Sequence, residues 1–106
     1  IKMRTDGTES RQFLYADDAC EALLTLAKKY KVIEKNKDYC ITSFEWNKVY
    51  EIADILDVLS SCKVIPTDRK DETQRNAMNK PDPYIEKYWQ PRTSLKEGIM
   101  KLYSLY

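Results

Sequence analysis

Apolar residues recur at helical spacing in three stretches of the chain. The first predicted helix covers residues 17–30, and Asp17 or Asp18 can cap its first turn. A second helix is predicted to begin at Ser43, and a third follows Ser94, which forms an S-x-x-E capping box with Glu97. The predicted buried faces are Ala19, Ala22, Leu23, Leu26 and Tyr30 in the first helix; Trp46, Val49, Ile52, Ala53, Leu56 and Leu59 in the second; and Leu95, Ile99, Leu102 and Leu105 in the third.

Short apolar runs between these helices are typical of strands. They cover residues 11–15, 38–42 and 62–66, whereas residues 67–80 are polar enough to form a surface loop. Asp82 and Pro83 supply an N-cap and first-turn pair for a short fourth helix that ends at Tyr88. The order predicts one small α/β domain with about three short strands and four helices, whose narrow sheet would pack more naturally against another lobe.

The composition is that of a soluble globular domain. The 106 residues are 42% apolar and 33% charged, which argues against a disordered chain. Eighteen basic and seventeen acidic residues leave a net charge of +1, so charge favours neither a nucleic acid nor a membrane as partner. No apolar run is long enough for a transmembrane helix. The polar start, IKMRTDGTES, is unlike a signal peptide and is expected to continue a longer chain.

Histidine, glycine and cysteine usage limits the chemistry. The absence of histidine removes the commonest general base and metal ligand. Gly7 and Gly98 alone cannot supply the glycines of a dinucleotide-binding GxGxxG or of a P-loop. Cys20, Cys40 and Cys62 are too widely spaced for a zinc site, and we expect them to be buried, reduced thiols of a cytoplasmic protein.

Three arginines are the candidate anion ligands. Arg11 precedes the first strand-to-helix junction, and Arg69 and Arg75 lie in the polar loop. A guanidinium can donate two parallel hydrogen bonds to a phosphate, although solvated surface arginines are the alternative interpretation. Trp46 and Trp89 are expected in the core or an interface. The lysine-rich stretch 28–37 lacks the interleaved aromatics of a single-strand nucleic-acid site.

Three blocks of sequence carry a family resemblance. Residues 6–27 run from Gly7 through Arg11, Phe13, Tyr15 and the two aspartates into an alanine- and leucine-rich helix. Residues 36–56 are similar to a Y-N-I-G-x-G-x-x-x-S-x-x-E-L-A block, and residues 89–99 match W-x-P-x-x-S-L-x-E-G-I. Together they resemble the extended short-chain dehydrogenase/reductase superfamily, which contains the NAD(P)-dependent nucleotide-sugar epimerases and dehydratases.

The resemblance implies that residues 1–106 are the C-terminal nucleotide-sugar-binding region of an extended Rossmann-type enzyme. Its N-terminal domain, which would bind NAD or NADP and supply a catalytic Tyr-x-x-x-Lys, is expected to be absent, since no tyrosine here has a lysine four residues later. No catalytic, cofactor-binding or metal-binding residue is therefore expected in the chain. The resemblance assigns substrate binding to Arg11, Arg69, Glu72 and Tyr15, with both arginines on the diphosphate.

The implied function is to clamp the nucleotide diphosphate so that the sugar faces the nicotinamide of the missing domain. The implied partners are a nucleotide-diphosphate sugar and that Rossmann domain, and a homodimer stays open; nucleic acid and membrane are not expected. A non-catalytic nucleotide-sugar-binding or interaction module that kept the fold is the alternative, and a purely structural or oligomerisation piece ranks below it. The nucleotide, the sugar and the choice among epimerisation, dehydration, reduction and decarboxylation stay open.

Overall fold

The computed structural model describes residues 1–73 and 78–106, so the candidate Arg75 lies outside the described residues. Within them are three α-helices, a 3₁₀ helix and a two-stranded sheet. The helices are α1 (Ala16–Lys28), α2 (Val49–Ser60) and α3 (Leu95–Tyr103), and the 3₁₀ helix spans Pro83–Lys87. None of the helices in these two ranges is long and apolar enough to cross a lipid bilayer.

The two strands are much shorter than the sequence predicted. Strand β1 (Ser10–Arg11) pairs antiparallel with β2 (Asn47–Lys48), with Ser10 opposite Lys48 and Arg11 opposite Asn47. Of the predicted strand 11–15 only its first residue is in β1, residues 38–42 form no strand, and 62–66 contribute one parallel bridge between Ile65 and Lys2. The prediction of three strands is therefore wrong in number, because apolar runs become strands only where a neighbouring backbone pairs with them.

Helix α2 begins six residues later than predicted. Phe44 has a φ of 60°, a left-handed conformation that stops a helix from running through from Ser43. Asn47 and Lys48 are then used in β2, and the Glu51 carboxylate accepts a hydrogen bond from the Lys48 backbone N–H at 2.9 Å. The helix ends at Ser60, and its C-cap, Ser61, has a left-handed φ of 53°. Trp46 therefore precedes α2, and its indole N–H donates to the Asn79 carbonyl at 3.2 Å.

The other helix starts follow the sequence more closely. Ser94 and Glu97 form the predicted capping box at α3, and the Asp82 side chain accepts from the Tyr84 backbone N–H at 2.9 Å to begin the 3₁₀ helix. The cap of α1 was predicted wrongly: Tyr15 is its N-cap and makes no side-chain cap hydrogen bond. Asp17 and Asp18 lie inside the first turn, where a negative charge still suits the helix dipole.

A small cluster on the inner side of α1 is the core of the chain. Ala22, Ile85 and Trp89 are buried, which confirms the core interpretation of Trp89. The partly buried residues packed against them are Leu14, Leu26, Tyr39, Ile41 and Phe44. Two residues of the predicted face of α1 lie outside this core, since Leu23 and Tyr30 are 59% and 65% exposed.

The molecule is a thin slab. Its principal extents are 49 × 33 × 14 Å and its radius of gyration is 16.4 Å. A compact chain of this length would have a radius of gyration of about 13 Å. The thiols reflect this thinness: all three cysteines are free, but Cys20 and Cys62 are exposed, so the expectation that they are buried is wrong.

Asp18 connects α1 to the segment before α3. One carboxylate oxygen accepts from the backbone N–H groups of Arg92 and Thr93 at 3.0 and 2.8 Å, and the other accepts from the Thr93 hydroxyl at 3.1 Å. Asp18 itself is only 6% exposed. A buried carboxylate with three donors is well satisfied, whereas the same donors without it would be left unpaired.

We therefore expect Asp18→Ala to lower the free energy of unfolding by about 2–3 kcal/mol. Hydrogen bonds to a charged group contribute about 1.5–3 kcal/mol each, and in the variant water can satisfy some of the three donors that Asp18 leaves. Urea unfolding at pH 7 measures the loss. The matched control is Asp17→Ala, an exposed aspartate in the same turn, which should cost no more than about 1 kcal/mol of helix-dipole interaction. Equal losses in the two variants would contradict the role of Asp18.

The helix caps make the stability depend on acid pH. The Lys48 backbone N–H, with Asn47, lowers the pKa of Glu51, and the Ser94 backbone N–H, with its hydroxyl, lowers the pKa of Glu97; the ordinary value for both is 4.5. A carboxyl whose pKa is lower in the folded chain stabilises it above the unfolded pKa. That contribution is lost as the pH falls through the folded pKa.

The urea midpoint of the chain should therefore fall between pH 5 and pH 3. In a variant with Glu51→Gln and Glu97→Gln it should fall less, because glutamine can still cap but does not titrate. Glu45→Gln is the control, since Glu45 is exposed and precedes the helix. If this control flattened the pH profile as much as the double variant does, the caps would not be the cause.

Candidate functional site

A groove lined mainly by basic side chains lies between the start of the chain and the segment after Ile65. Its volume is about 720 Å³, and it is lined by residues 2–5, Thr67 and 69–73. The two segments run side by side. The Met3 N–H donates to the Ile65 carbonyl at 2.8 Å, and the Asp6 N–H donates to the Arg69 carbonyl at 2.7 Å. Because main-chain hydrogen bonds hold both walls, the groove is a fixed feature of the fold.

Charged side chains of both signs line this groove. The basic ones are Lys2, Arg4, Arg69 and Lys70, and the acidic ones are Asp71 and Glu72. The four basic residues and Glu72 are exposed, whereas Asp71 is half-buried. Four cations against two carboxylates leave an excess of positive charge, which suits an anionic ligand that also offers hydroxyl groups to a carboxylate.

Arg11 reaches the same groove from β1. Its Nη2 lies 2.8 Å from Oδ2 of Asp71, and its Nη1 donates to the Ser10 carbonyl at 2.9 Å. The other oxygen of Asp71 accepts from the Thr73 backbone N–H at 2.9 Å. The side chains of Arg11 and Asp71 are 31% and 21% exposed, so this ion pair is partly shielded from water. Asp71 thus joins the sheet to the wall of the groove.

Tyr15 lies elsewhere. Its ring packs at α3, where a Cβ added to Gly98 would come within 3.3 Å of Tyr15 Cδ2, and the Lys101 ammonium is 5.0 Å from the ring centroid. It also lines an apolar cavity of about 250 Å³ with residues such as Ile52 and Ile99. The fold therefore brings Arg69 and Glu72 to one groove and links Arg11 to it through Asp71, but leaves Tyr15 outside it.

Sequence reasoning missed part of the groove. Arg4 and Lys2 were not singled out, although they stand with Met3 and Thr5 in the polar start of the chain. Asp71 was also missed, because its partner Arg11 is 60 residues away and no spacing rule links them. Among residues 1–73 and 78–106, no cluster of three or more metal-ligating side chains occurs.

A dinucleotide does not fit the glycines of this chain. Gly7 has a φ of 76°, and a Cβ there would lie 2.8 Å from Met3 Cε and 2.9 Å from the Tyr50 nitrogen, so its turn is filled by protein. Gly98 lies within α3 against Tyr15. A Rossmann-type dinucleotide site holds its pyrophosphate at an open glycine turn that begins a helix, and neither glycine provides such a turn.

Comparison with known proteins agrees with the sequence motifs. Residues 1–42 match the model of the NAD dependent epimerase/dehydratase family, so the predicted relationship of this chain to that family is confirmed. Over 103 residues the chain is 31% identical to a GDP-L-fucose synthase from Sinorhizobium fredii, a match that covers 94% of this chain and 32% of that protein. The chain thus spans about a third of the length of the curated relative it matches.

Two solved structures share the fold. An epimerase from Methanothermobacter thermautotrophicus superposes with a TM-score of 0.72 at 19% identity, over 98% of this chain and 34% of that chain. MoeE5, solved in complex with UDP-glucuronic acid and NAD, superposes with a TM-score of 0.66 at 17% identity, over 94% of this chain and 34% of that chain. The small α/β architecture is therefore that of a region within epimerase structures, as predicted, with fewer strands and helices than expected.

Proposed function

We propose that this chain is the C-terminal, substrate-binding region of an NAD(P)-dependent nucleotide-diphosphate-sugar epimerase or dehydratase. In this role it holds the diphosphate, while an N-terminal Rossmann domain outside residues 1–106 supplies the cofactor site and the catalytic groups. The observation that carries the proposal is the groove between residues 2–5 and 69–73, where basic side chains outnumber carboxylates. The relatives support the substrate class, since one is named a GDP-L-fucose synthase and another was solved with UDP-glucuronic acid.

Arg69 is the direct anchor in this proposal. Its side chain is exposed and lines the groove, while its carbonyl is held by the Asp6 N–H. A diphosphate carries about two negative charges, and a guanidinium can meet its oxygens with two parallel hydrogen bonds. Glu72, three residues on, supplies an acceptor for a hydroxyl of the same ligand.

Arg11 is the second phosphate ligand, and Asp71 competes for it. The Asp71 carboxylate occupies the Arg11 guanidinium much as a phosphate oxygen would. We infer that the diphosphate displaces Asp71 from Arg11 when it binds. Tyr15 makes no contact with the diphosphate in this arrangement, because it lies beside α3.

The second candidate is a nucleotide-sugar-binding module without catalysis. It is favoured by the chain's own content, since neither glycine offers an open phosphate turn and no Tyr-x-x-x-Lys occurs. The two candidates differ in the protein that carries the chain. An N-terminal domain with a glycine-rich turn and a Tyr-x-x-x-Lys motif supports the enzyme, and its absence from the complete protein supports the module.

Arg69→Ala should weaken the binding of a nucleotide-diphosphate sugar about 10- to 100-fold, because one charge-assisted hydrogen-bonding group contributes about 1.5–3 kcal/mol. Isothermal titration calorimetry with UDP, GDP and dTDP sugars measures this change and also identifies the base. Arg92→Ala is the matched control. Arg92 is an exposed arginine outside the groove, paired with Glu21 at 3.3 Å.

An equal loss of affinity in the two arginine variants would count against the groove as the diphosphate site. If no nucleotide sugar bound even with the N-terminal domain restored, substrate binding itself would be refuted.

Asp71→Asn should strengthen the same binding about two- to tenfold, because it frees Arg11 from a competing carboxylate within an ion pair of modest strength. The variant also adds one unit of positive charge to the region. Asp68→Asn controls for that charge, since Asp68 is an exposed aspartate in the same segment that does not line the groove. Weaker binding by Asp71→Asn would show that the Arg11–Asp71 pair builds the site rather than competing for it.

A further inference from the structure

Thr5 lines the groove, and its hydroxyl proton is taken up by Glu9. Oγ1 of Thr5 donates to Oε1 of Glu9 at 2.6 Å and accepts from the Gly7 backbone N–H at 3.3 Å. The Thr5 carbonyl accepts from the Thr67 backbone N–H at 3.2 Å, which ties Thr5 to the opposite wall. A threonine hydroxyl has one proton and two lone pairs, so one lone pair of Thr5 is left for a ligand.

Glu9 does not line the groove and is the buried partner of Thr5. It is 8% exposed, and its carbonyl accepts from the Val49 N–H at 3.0 Å, which fixes it against the start of α2. Within residues 1–73 and 78–106, its other oxygen, Oε2, accepts no hydrogen bond. The distance of 2.6 Å to Thr5 is typical of a hydroxyl that donates to a carboxylate. Because a buried carboxylate without a donor is strongly disfavoured, the Thr5 proton stays on the side of Glu9.

We propose that Glu9 is a positioning residue that makes the Thr5 hydroxyl a hydrogen-bond acceptor towards the groove. A ligand group beside Thr5 then has to carry a hydrogen, as a hydroxyl or an N–H does, and a phosphate oxygen is disfavoured there. This inference rests on the proposed function, which puts a nucleotide-diphosphate sugar in the groove. It adds a reason why the phosphates lie beside Arg69 rather than beside Arg4, although both arginines line the groove.

The contact between Glu9 and Thr5 also stabilises the turn at Gly7, so lost stability alone does not reveal a role in binding. The two roles differ in the ligands that they affect. A purely structural contact changes the affinity for every ligand of the groove alike, whereas an acceptor at Thr5 matters only to a ligand with a donor to offer. A nucleotide-diphosphate sugar offers hydroxyl and N–H groups, and inorganic diphosphate offers phosphate oxygens.

Thr5→Val removes the hydroxyl at nearly constant volume. In the complete protein it should weaken the binding of whichever of UDP-glucose, GDP-mannose and dTDP-glucose binds by about three- to tenfold, the contribution of one neutral hydrogen bond. The affinity for inorganic diphosphate should stay the same. Isothermal titration calorimetry measures both affinities. Thr8→Val is the matched control and should change neither, because Thr8 is exposed, does not line the groove and donates its hydroxyl to Oδ1 of Asp6 at 2.7 Å.

Glu9→Ala tests the positioning step, because it keeps the Thr5 hydroxyl but lets its proton turn towards the groove. This variant should lose as much affinity for the nucleotide sugar as Thr5→Val does. The double variant should lose no more than either single variant, since Glu9 acts only through Thr5. Asp18→Ala removes a carboxylate that is equally buried but lies outside the groove, so it should lower the melting temperature without changing the preference between the two ligands.

Additive losses in the double variant, or equal weakening of the nucleotide sugar and of diphosphate by Thr5→Val, would overturn the inference. If Glu9→Ala does not fold, Thr5→Ser decides, since it keeps the hydroxyl and should retain the affinity that Thr5→Val loses. Weakening of both ligands by Arg69→Ala, with no change in Thr5→Val, would refute the inference and leave the proposed function standing. If none of the three nucleotide sugars bound, both would be refuted.

Discussion

The Asp18 carboxylate joins helix α1 to the segment that precedes α3. It accepts hydrogen bonds from two backbone N–H groups and one hydroxyl at Arg92 and Thr93, more than 70 residues along the chain. That contact fixes the segment that leads into α3, and it lies next to Trp89, which is buried against Ala22 of the same helix. Few side chains are buried among residues 1–73 and 78–106, so a buried carboxylate with three donors restricts how these two segments can pack.

The groove depends on a different constraint. Residues 1–6 and 63–69 must run in parallel, and a parallel pair needs a long crossover between its strands. The crossover here includes α1, β2 and α2. Gly7, with its positive φ, lets the chain turn away from residues 1–6 where the crossover begins. The Tyr50 N–H donates to the Gly7 carbonyl at 3.0 Å, the φ of Gly7 is positive, and Met3 and Tyr50 leave no space for a Cβ there. The basic side chains of the groove therefore meet because the helices return the chain to its own start.

Helices were predictable from the sequence to the extent that their signals are local. The capping box of Ser94 and Glu97 and the pair Asp82 and Pro83 each act within three residues, and each begins a helix where expected. The start of α2 was not predictable from local signals, because the left-handed Phe44 and the pairing of Asn47 with Arg11 are set by distant contacts. The predicted strands were wrong for the same reason, since a run of apolar residues does not specify which backbone segment it pairs with.

The candidate site was predictable only in part. Motif resemblance named Arg11, Arg69 and Glu72. The fold places Arg69 and Glu72 in one groove and links Arg11 to it through Asp71, although nothing in their spacing requires this. It also named Tyr15, whose ring the fold uses against α3. Asp71 and Arg4 were invisible to the same reasoning because their importance depends on a pairing across 60 residues and on the parallel start of the chain.

A thin slab with a basic groove also has a consequence for catalysis. The groove can hold the charged end of a ligand, but the described residues supply no histidine, no open glycine turn and no cluster of carboxylates that could bind a metal. Under the proposed function, a sugar attached to the bound diphosphate would meet its reactive groups in another domain. Fixing one end of a substrate reduces the entropy cost of positioning the other, so a binding region without reactive groups can still contribute to rate.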